Sequence, residues 1–308
     1  MIRTREIDYP PFGRCLEMEN GAVRLLATLD LGPRIISFGT PGGKNVFAEL
    51  PDSKAGEAPA GTFDIFGDKG VWHIYGGHRL WSSPEAMPRS YFPDNSAVSY
   101  KVEGNVLTLS GDAQEWIGLC PSITITMDEK EPKVTVLHTL KNTGAWPITF
   151  APWALSVMAP GGTLYLPQNT TDKGLLHNRV FSLWPYSDAT DERFTLGKST
   201  ITLRQLKTAD TNFKIGIACE RSCGAYLNDG TLFAKRYTHE DGATYPDGGV
   251  SLEAFTCADM LEFETLAPCR EVAPGAEATH TETWYIHENV AFPETEEEIE
   301  TLLATYCK

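Results

Sequence analysis

Two glutamates near the end of the chain, Glu262 and Glu264, have a spacing that suits acid/base chemistry. They lie in MLEFETLAP, residues 260–268, which alternates apolar and polar residues like a β-strand. Side chains two positions apart on a strand share a face and lie about 6.5 to 7 Å apart. If both were buried in a cleft, one carboxyl would keep its proton above its ordinary pKa and serve as an acid while the other served as a base. In the alternative, Leu261 and Phe263 face the core and both glutamates face water.

A second candidate region, residues 71–95, collects histidine, arginine, tryptophan and tyrosine around the pair Gly76-Gly77. The glycines allow the backbone to bulge, which could bring His78 and Arg79 to one cleft. A guanidinium offers several donors in a fixed fork, Trp81 offers a flat apolar face, and a histidine titrates near neutral pH. We expect Arg79 and Trp81 to bind a ligand and His78 to act as a general acid. In the alternative, the His-Arg pair bonds to backbone carbonyls and Glu85.

Further candidate binding residues lie in the same region and in a later polar loop, because long polar loops on a β scaffold often carry binding groups. Roughly half of them should prove structural or solvated, since several fit ordinary turns. The candidates are His73, Tyr91, Asp94, Lys235, His239, Tyr245 and Asp247. The other histidines are predicted to be structural, namely His138, His177, His280 and His287. Five tryptophans are predicted to lie in the core or at its rim, namely Trp116, Trp146, Trp153, Trp184 and Trp284.

The elements that must position these residues are predicted to be strands. From Ala22 onward, short β-favouring runs alternate with Gly, Pro, Asn and Asp turns, and the interior shows no sustained helical periodicity. The one predicted helix covers about residues 294–307, where Thr295 and Glu298 form a capping box. Without a repeat or a linker, the pattern predicts one all-β domain, residues 1–308, built as a large antiparallel β-sandwich with a C-terminal helix.

The charge balance limits the partners. The 308 residues contain 41 Asp plus Glu against 26 Lys plus Arg, a formal net charge of −15, which disfavours nucleic acid and anionic membranes. A neutral or cationic small molecule fits this field better. No apolar run approaches the roughly 20 residues of a membrane span. Seven scattered cysteines, an odd number without a signal peptide, suggest free thiols in the cytoplasm.

Several familiar signatures do not occur in the sequence. There is no Walker loop, no dinucleotide fingerprint, no His-Glu-Xaa-Xaa-His and no Gly-Xaa-Ser-Xaa-Gly. Cys219 and Cys223 lack a second pair at zinc-like spacing. The sequence therefore predicts neither a cofactor nor a metal, and it disfavours phosphoryl transfer, redox chemistry, zinc proteolysis and serine hydrolysis.

Three segments resemble galactose mutarotase-like proteins in order and spacing. They are ENGAVRLLATLDLGPRIISFG, VTVLHTLKNTGAWPITFAPWALSVM and MLEFETLAPCREVAPGAEATHTETWYI. The motif YGGHRLWSSPE resembles a branch of that superfamily separate from the aldose 1-epimerases proper. The resemblance implies a supersandwich of antiparallel sheets whose concave face binds a carbohydrate, with a His and a Glu interconverting anomers. One departure is that the positions matching the catalytic His motif read Ala151-Pro152-Trp153-Ala154-Leu155, with no histidine.

The resulting expectation is a carbohydrate-active protein that acts as an aldose epimerase or related sugar isomerase without a cofactor. Glu264 would take the proton from the anomeric hydroxyl while His78, or a neighbouring histidine, protonates the ring oxygen, and Glu262 would line the same site. A non-catalytic sugar-binding or sensing module is one alternative, since the family histidine is missing. Glycoside cleavage by the carboxylate pair is another, because two separated acids also suit that reaction.

Overall fold

Strands dominate the computed structural model, which describes residues 2–54 and 58–307. The first eleven strands are β1 (Arg3–Asp8), β2 (Arg14–Glu19), β3 (Arg24–Thr28), β4 (Ile35–Gly39), β5 (Glu49–Lys54), β6 (His73–Ser83), β7 (Ser99–Glu103), β8 (Val106–Ser110), β9 (Leu119–Met127), β10 (Lys133–Asn142) and β11 (Ile148–Met158). The others are β12 (Thr163–Pro167), β13 (Phe181–Leu183), β14 (Phe194–Leu196), β15 (Thr200–Arg204), β16 (Phe213–Ile217), β17 (Cys223–Asn228), β18 (Thr231–Arg236), β19 (Leu252–Thr256), β20 (Leu261–Leu266), β21 (Arg270–Val272) and β22 (Glu277–His287). Two 3-10 helices, Asp64–Lys69 and Arg89–Tyr91, and one α-helix, α1 (Glu296–Tyr306), complete the described elements.

The strands form two large sheets. The first sheet has the order β1-β2-β3-β4-β6-β11-β20-β19-β16-β13, with β5 beside β6 and β21 beside β11. The second sheet has the order β14-β15-β12-β17-β18-β22-β10-β9-β8-β7. The central pairings of both sheets are antiparallel. No helix of the described part is long and apolar enough to cross a membrane.

The two sheets pack face to face over an aromatic core. Phe38 and Phe263 of the first sheet meet Phe233 and Trp284 of the second, with ring centroids 5.6 to 6.3 Å apart. All four side chains are fully buried. Large aromatic side chains contribute strongly to the hydrophobic stabilisation of such a core. The predicted all-β antiparallel sandwich with a C-terminal helix is confirmed.

Helix α1 closes one end of the chain as its sequence predicts. The Thr295 hydroxyl accepts from the Glu298 amide, and the Glu298 carboxylate accepts from the Thr295 amide, which makes a complete capping box. Leu302 and Leu303 on its inner face are buried against β12, β17 and β18. The helix therefore packs on the second sheet.

Strand β20 decides which side chains reach the outer face of the first sheet. Leu261 and Phe263 point into the core between the sheets, while Glu262 and Glu264 point to the opposite face. Leu261 and Phe263 therefore face the core, as the alternative interpretation of this strand predicts. The opposite face is covered as well, because Glu262 is 8% exposed and Glu264 is fully buried. Both carboxylates consequently need partners within the protein.

Two glycines in β6 set the path of this strand between its neighbours. Three successive residues have positive φ, namely Tyr75 (52°), Gly76 (86°) and Gly77 (67°). A Cβ on Gly76 would lie 2.0 Å from the carbonyl oxygen of Ala48, and one on Gly77 would lie 2.4 Å from that of Ile35. Neighbouring backbone thus approaches too closely for a side chain. Beyond the glycines, β6 runs regularly beside β11.

We expect Gly76→Ala to destabilise the fold by about 3 kcal/mol or more, since strain at positive φ adds to a clash with backbone. Gly42→Ala is the matched control, because Gly42 has a similar φ of 76° with nothing within 4 Å. It should cost only about 1 kcal/mol. Urea denaturation of both variants measures the difference, and equal losses would contradict the close-approach explanation.

Candidate functional site

One face of the first sheet carries a cleft with a volume of about 590 Å³. Its floor is formed by β6, β11, β20, β19 and β16, which are neighbours in the sheet. The register places Leu155 between Arg79 and Glu264, and it places Glu264 opposite Glu253. Because directly opposite residues share a face, these side chains converge on one surface. The chemistry of the cleft therefore depends on strand register.

Arg79 and Glu262 form an ion pair on this floor. The Nη2 of Arg79 donates to Oε1 of Glu262 at 2.8 Å. The guanidinium lies against the rings of Trp72 and Trp81, at 5.3 and 4.4 Å from their centroids. Arg79 is 3% exposed, and its Nε and Nη1 have no hydrogen-bond partner among residues 2–54 and 58–307. These two nitrogens are buried without an acceptor among the described residues, which is costly. Their N–H groups can donate to a ligand in the cleft.

A second charged group lies deeper, where one lysine contacts two glutamates. The Nζ of Lys214 is 2.8 Å from Oε2 of Glu253 and 3.1 Å from Oε2 of Glu264. Oε2 of Glu264 also accepts from Nε1 of Trp153 at 2.8 Å. The ammonium lies 4.7 Å from the ring centroids of both Trp153 and Trp184. We call this cluster of one ammonium and two carboxyl groups, Lys214, Glu253 and Glu264, the carboxyl trio.

Burial and neighbouring charge shift the protonation of the carboxyl trio. Burial raises the pKa of Glu253 well above its ordinary value, more than Lys214 lowers it. Burial also raises the pKa of Glu264, again against the opposing effect of Lys214. Burial alone would lower the pKa of Lys214, but the two carboxylates raise it well above its ordinary value. One ammonium beside two buried carboxyls favours a state in which one carboxyl keeps a proton.

Aromatic rings form the walls of the cleft. Trp81 packs against Tyr91 and Trp153, with ring centroids at 4.8 and 5.5 Å. The Tyr91 hydroxyl bonds to Glu85, which is exposed at the rim. Beside the cleft lies a recess of about 390 Å³, lined by Glu85, Ala86, Met87, Tyr91, Trp153, Trp184, Asp247 and Glu253. Cleft and recess share several lining residues, so together they form one composite site.

The structure brings together about half of the residues predicted for the site. Arg79, Trp81, Tyr91 and Glu262 line the cleft, and Asp247 lines the recess. Glu264 lies beneath the indole of Trp153, covered rather than open to the cleft. Five predicted residues thus line the composite site, and Glu264 is buried behind it.

His78 and Lys235 lie on the other side of the first sheet, between the two sheets. Lys235 donates to Oγ of Ser156 at 2.9 Å, and that hydroxyl lies 2.8 Å from Nδ1 of His78. Nε2 of His78 is 2.7 Å from Nε2 of His138, whose Nδ1 donates to the carbonyl of His280 at 2.9 Å. These contacts assign one direction to the chain of hydrogen bonds, from Lys235 through Ser156 and His78 to His138. His78 is therefore directed away from the cleft.

This chain of hydrogen bonds begins at a buried ion pair. Nζ of Lys235 lies 2.9 Å from Oε1 of Glu282, whose Oε2 accepts from Nε1 of Trp284 at 2.7 Å. Burial lowers the pKa of His78 well below its ordinary value, so this imidazole is neutral near pH 7. Burial raises the pKa of Glu282, but Lys235, His138, His280 and the Thr265 hydroxyl together lower it below its ordinary value. Burial also lowers the pKa of Lys235, against the opposing effect of Glu282.

Among the described residues, one group of three side chains has the arrangement of metal ligands, namely His78, His138 and Glu282. Their donor atoms lie within 4.8 Å of one another. Each donor atom already has a hydrogen-bond partner, and the Lys235 ammonium sits on the same carboxylate. Hydrogen bonding accounts for this cluster without an ion.

Four other predicted residues lie away from the cleft. The ring of His73 packs on Tyr75 at 5.2 Å, and Asp94 pairs with buried Arg34 at 2.7 Å. His239 stacks on Tyr245 at 4.9 Å, and its Nδ1 lies 2.8 Å from Oγ of Ser251. Each of these side chains has a partner that explains its position within the fold.

Lys214 and Glu253 were missed by the sequence reasoning. Each is the single charge in its strand, FKIGI for β16 and LEAFT for β19, and the other residues of both strands are mostly apolar. Charged residues in such strands are seldom buried without a partner, so this pattern could have identified both. Trp153 and Trp184, expected in the core or at its rim, line the cleft.

Comparisons with known proteins agree with this architecture. No family model and no curated protein matches the chain in sequence. A candidate aldose 1-epimerase from Klebsiella pneumoniae superposes with a TM-score of 0.59 at 12% identity, over 96% of this chain and 84% of that one. A candidate mutarotase from Salmonella typhimurium gives 0.56 at 12% identity, over 93% and 94%. A galactose mutarotase-like protein from Lactobacillus casei gives 0.54 at 10% identity, over 89% and 100%. The chain therefore has the galactose mutarotase-like fold that its sequence resembles.

We expect Lys214→Met to make stability strongly pH-dependent, because Glu253 and Glu264 would both have to stay protonated. A carboxyl whose pKa is higher in the folded state stabilises the fold fully below its ordinary pKa of 4.5. This stabilisation is lost as the pH rises through the raised pKa. The variant should thus lie near wild type at pH 5 and lose about 3–5 kcal/mol at pH 8.

Urea denaturation between pH 5 and pH 8 measures this effect. Lys173→Met is the control, because Lys173 contacts Glu220 at 3.6 Å near the surface. That change should stay within about 0.5 kcal/mol at every pH. A loss in Lys214→Met that does not change with pH would contradict the explanation.

Proposed function

We propose that the protein binds an aldose sugar in the cleft and opens and closes the sugar ring at its anomeric carbon, as an aldose 1-epimerase does. The observation that carries the proposal is a cleft in which Glu262 and Arg79 lie between aromatic walls on a galactose mutarotase-like sheet. Aromatic faces suit the C–H surface of a pyranose, and paired charges suit its hydroxyls. A volume of about 590 Å³ is in the range of small-molecule sites.

Glu262 is the base in this proposal. Its carboxylate lines the cleft, and the ion pair with Arg79 fixes its position. It takes the proton of the anomeric hydroxyl; the bond between the anomeric carbon and the ring oxygen breaks, and that oxygen receives a proton from an acid. The aldehyde rotates about its first carbon bond, and the reverse steps close the ring with either configuration. Glu264 supports the site from below by accepting from Trp153 and Lys214.

A non-catalytic sugar-binding module is the second candidate. The observation in its favour is that no histidine lines the cleft within the described part of the chain. Binding without faster anomer exchange would select it. Glycoside cleavage by Glu262 and Glu264 receives less support, since Glu264 lines neither the cleft nor the recess and accepts from Trp153 and Lys214.

We expect Glu262→Gln to slow anomer exchange by roughly 10²- to 10⁴-fold, because a neutral amide cannot accept the hydroxyl proton. One-dimensional exchange NMR of free hexoses at pH 7 measures the rate above the spontaneous one. Glu277→Gln, at the exposed start of β22, is the control and should match wild type. A wild-type protein that adds nothing to spontaneous exchange between pH 5 and 8 would falsify the epimerase proposal for those sugars.

We expect neutral aldoses to bind more tightly than their phosphates, by roughly tenfold or more. Both cations of the cleft are already paired with carboxylates, and Glu85 and Asp259 add negative charge at the rim. Calorimetric titration with glucose and with glucose 6-phosphate compares the two. Tighter binding of the phosphate would show that Arg79 or Lys214 leaves its glutamate for the ligand.

A further inference from the structure

We propose that Glu253 is the acid that protonates the ring oxygen, so that the carboxyl trio does the work of the histidine this cleft lacks. The inference rests on the proposed function and names a catalytic residue for it. The acid of the cleft would then be a carboxyl group kept neutral by its surroundings.

The starting point is the number of charges in the carboxyl trio. Glu253 and Glu264 are directly opposite each other on β19 and β20, and both are fully buried. Lys214 on β16 supplies one ammonium, within 3.1 Å of both. Two carboxylates and one ammonium would leave a net negative charge out of water, which is costly. A single proton on one of the two carboxyls makes the trio neutral.

Hydrogen bonding decides which carboxyl holds that proton. Oε2 of Glu264 accepts from Trp153 at 2.8 Å and from Lys214 at 3.1 Å, so two donors stabilise its carboxylate. Glu253 has a close contact with Lys214 at 2.8 Å, but neither of its oxygens has an aligned hydrogen bond among the described residues. A carboxylate that accepts from both an indole N–H and an ammonium ionises more readily than one that contacts only the ammonium, in a poorly aligned pair. The proton therefore belongs on Glu253.

The charged groups around Glu253 are consistent with this assignment. Glu264 from β20 and Asp247 from the preceding loop both oppose its ionisation, and Lys214 alone favours it. Burial opposes ionisation more strongly than any of these charges act. The indoles of Trp153 and Trp184 complete the apolar surroundings at the recess.

Glu253 lines the recess, which shares Tyr91, Trp153 and Trp184 with the cleft. Both of its carboxyl oxygens are buried, so a sugar receives the proton only when it enters the recess. Diagonal neighbours on adjacent antiparallel strands lie roughly 7–8 Å apart, and Glu253 and Glu262 are related in this way. A pyranose between them can face Glu262 with its anomeric hydroxyl and Glu253 with its ring oxygen. Glu253 then gives its proton to the ring oxygen as the ring opens and takes it back as the ring closes.

A direct test is the titration of the glutamate carboxyls by ¹³C NMR in protein labelled at those carbons, between pH 4 and pH 9. We expect one carboxyl resonance with a midpoint well above the ordinary carboxyl value in wild type, absent from Glu253→Gln and retained in Glu300→Gln. Glu300 is a suitable control because it pairs with Arg221 at the surface. A Glu253 midpoint near the ordinary carboxyl value overturns the proposal whatever the activity.

Exchange NMR of hexoses supplies the catalytic arm. Glu253→Gln should lower the rate by roughly 10²-fold or more and remove the decline of rate at high pH, while Glu253→Asp should restore part of the activity. If Glu253→Gln keeps the wild-type rate and pH profile, Glu253 is not the acid. If wild type itself is inactive, the epimerase function fails and the acid role fails with it, while the titration still shows separately whether the carboxyl trio holds a proton.

Discussion

The constraint on which the structure depends is that strand β20 is buried on both faces and carries charge on one of them. Glu262 and Glu264 cannot rely on water, so Arg79 and Lys214, each two strands away in the sheet, compensate their charges. On the other face, Lys235 donates to the carbonyl of Phe263, and Thr265 donates to Glu282. Charged groups of both sheets thus converge on this single strand.

This constraint fixes the register of the cleft strands. Sliding β20 by one residue would turn Glu262 and Glu264 into the aromatic core and expose Phe263 on the cleft floor. The cation partners lie two strands away on either side, Arg79 on β6 and Lys214 on β16, so the whole order from β6 to β16 must be kept. The glycine pair of β6 supports this order, because it lets β4 and β5 approach the same strand.

The same charges give the cleft its chemical character. Arg79 and Lys214 are each stacked on tryptophans and paired with carboxylates, so the site offers hydrogen bonds more than net positive charge. A buried carboxyl beside an ammonium and a second carboxylate can remain protonated where an exposed one cannot. A cleft built in this way can provide both an acid and a base from carboxyl groups. His78 and His138 lie in the interior instead, where their contact links the two sheets.

The sequence by itself determined the alternation of β20, the glycine-dependent path of β6, the capping box of α1 and the all-β class, because each depends on residues close together in the chain. It also identified Arg79, Trp81 and Glu262 as candidates for the same site. Only the tertiary structure decided that His78 and Lys235 lie between the two sheets, that Lys214 lines the cleft and that Glu253 lines the recess. Which face of a strand becomes core depends on its neighbours across the sheet, and those neighbours lie far away in sequence. Partners such as Glu253 and Lys214 become visible only when β16, β19 and β20 lie side by side.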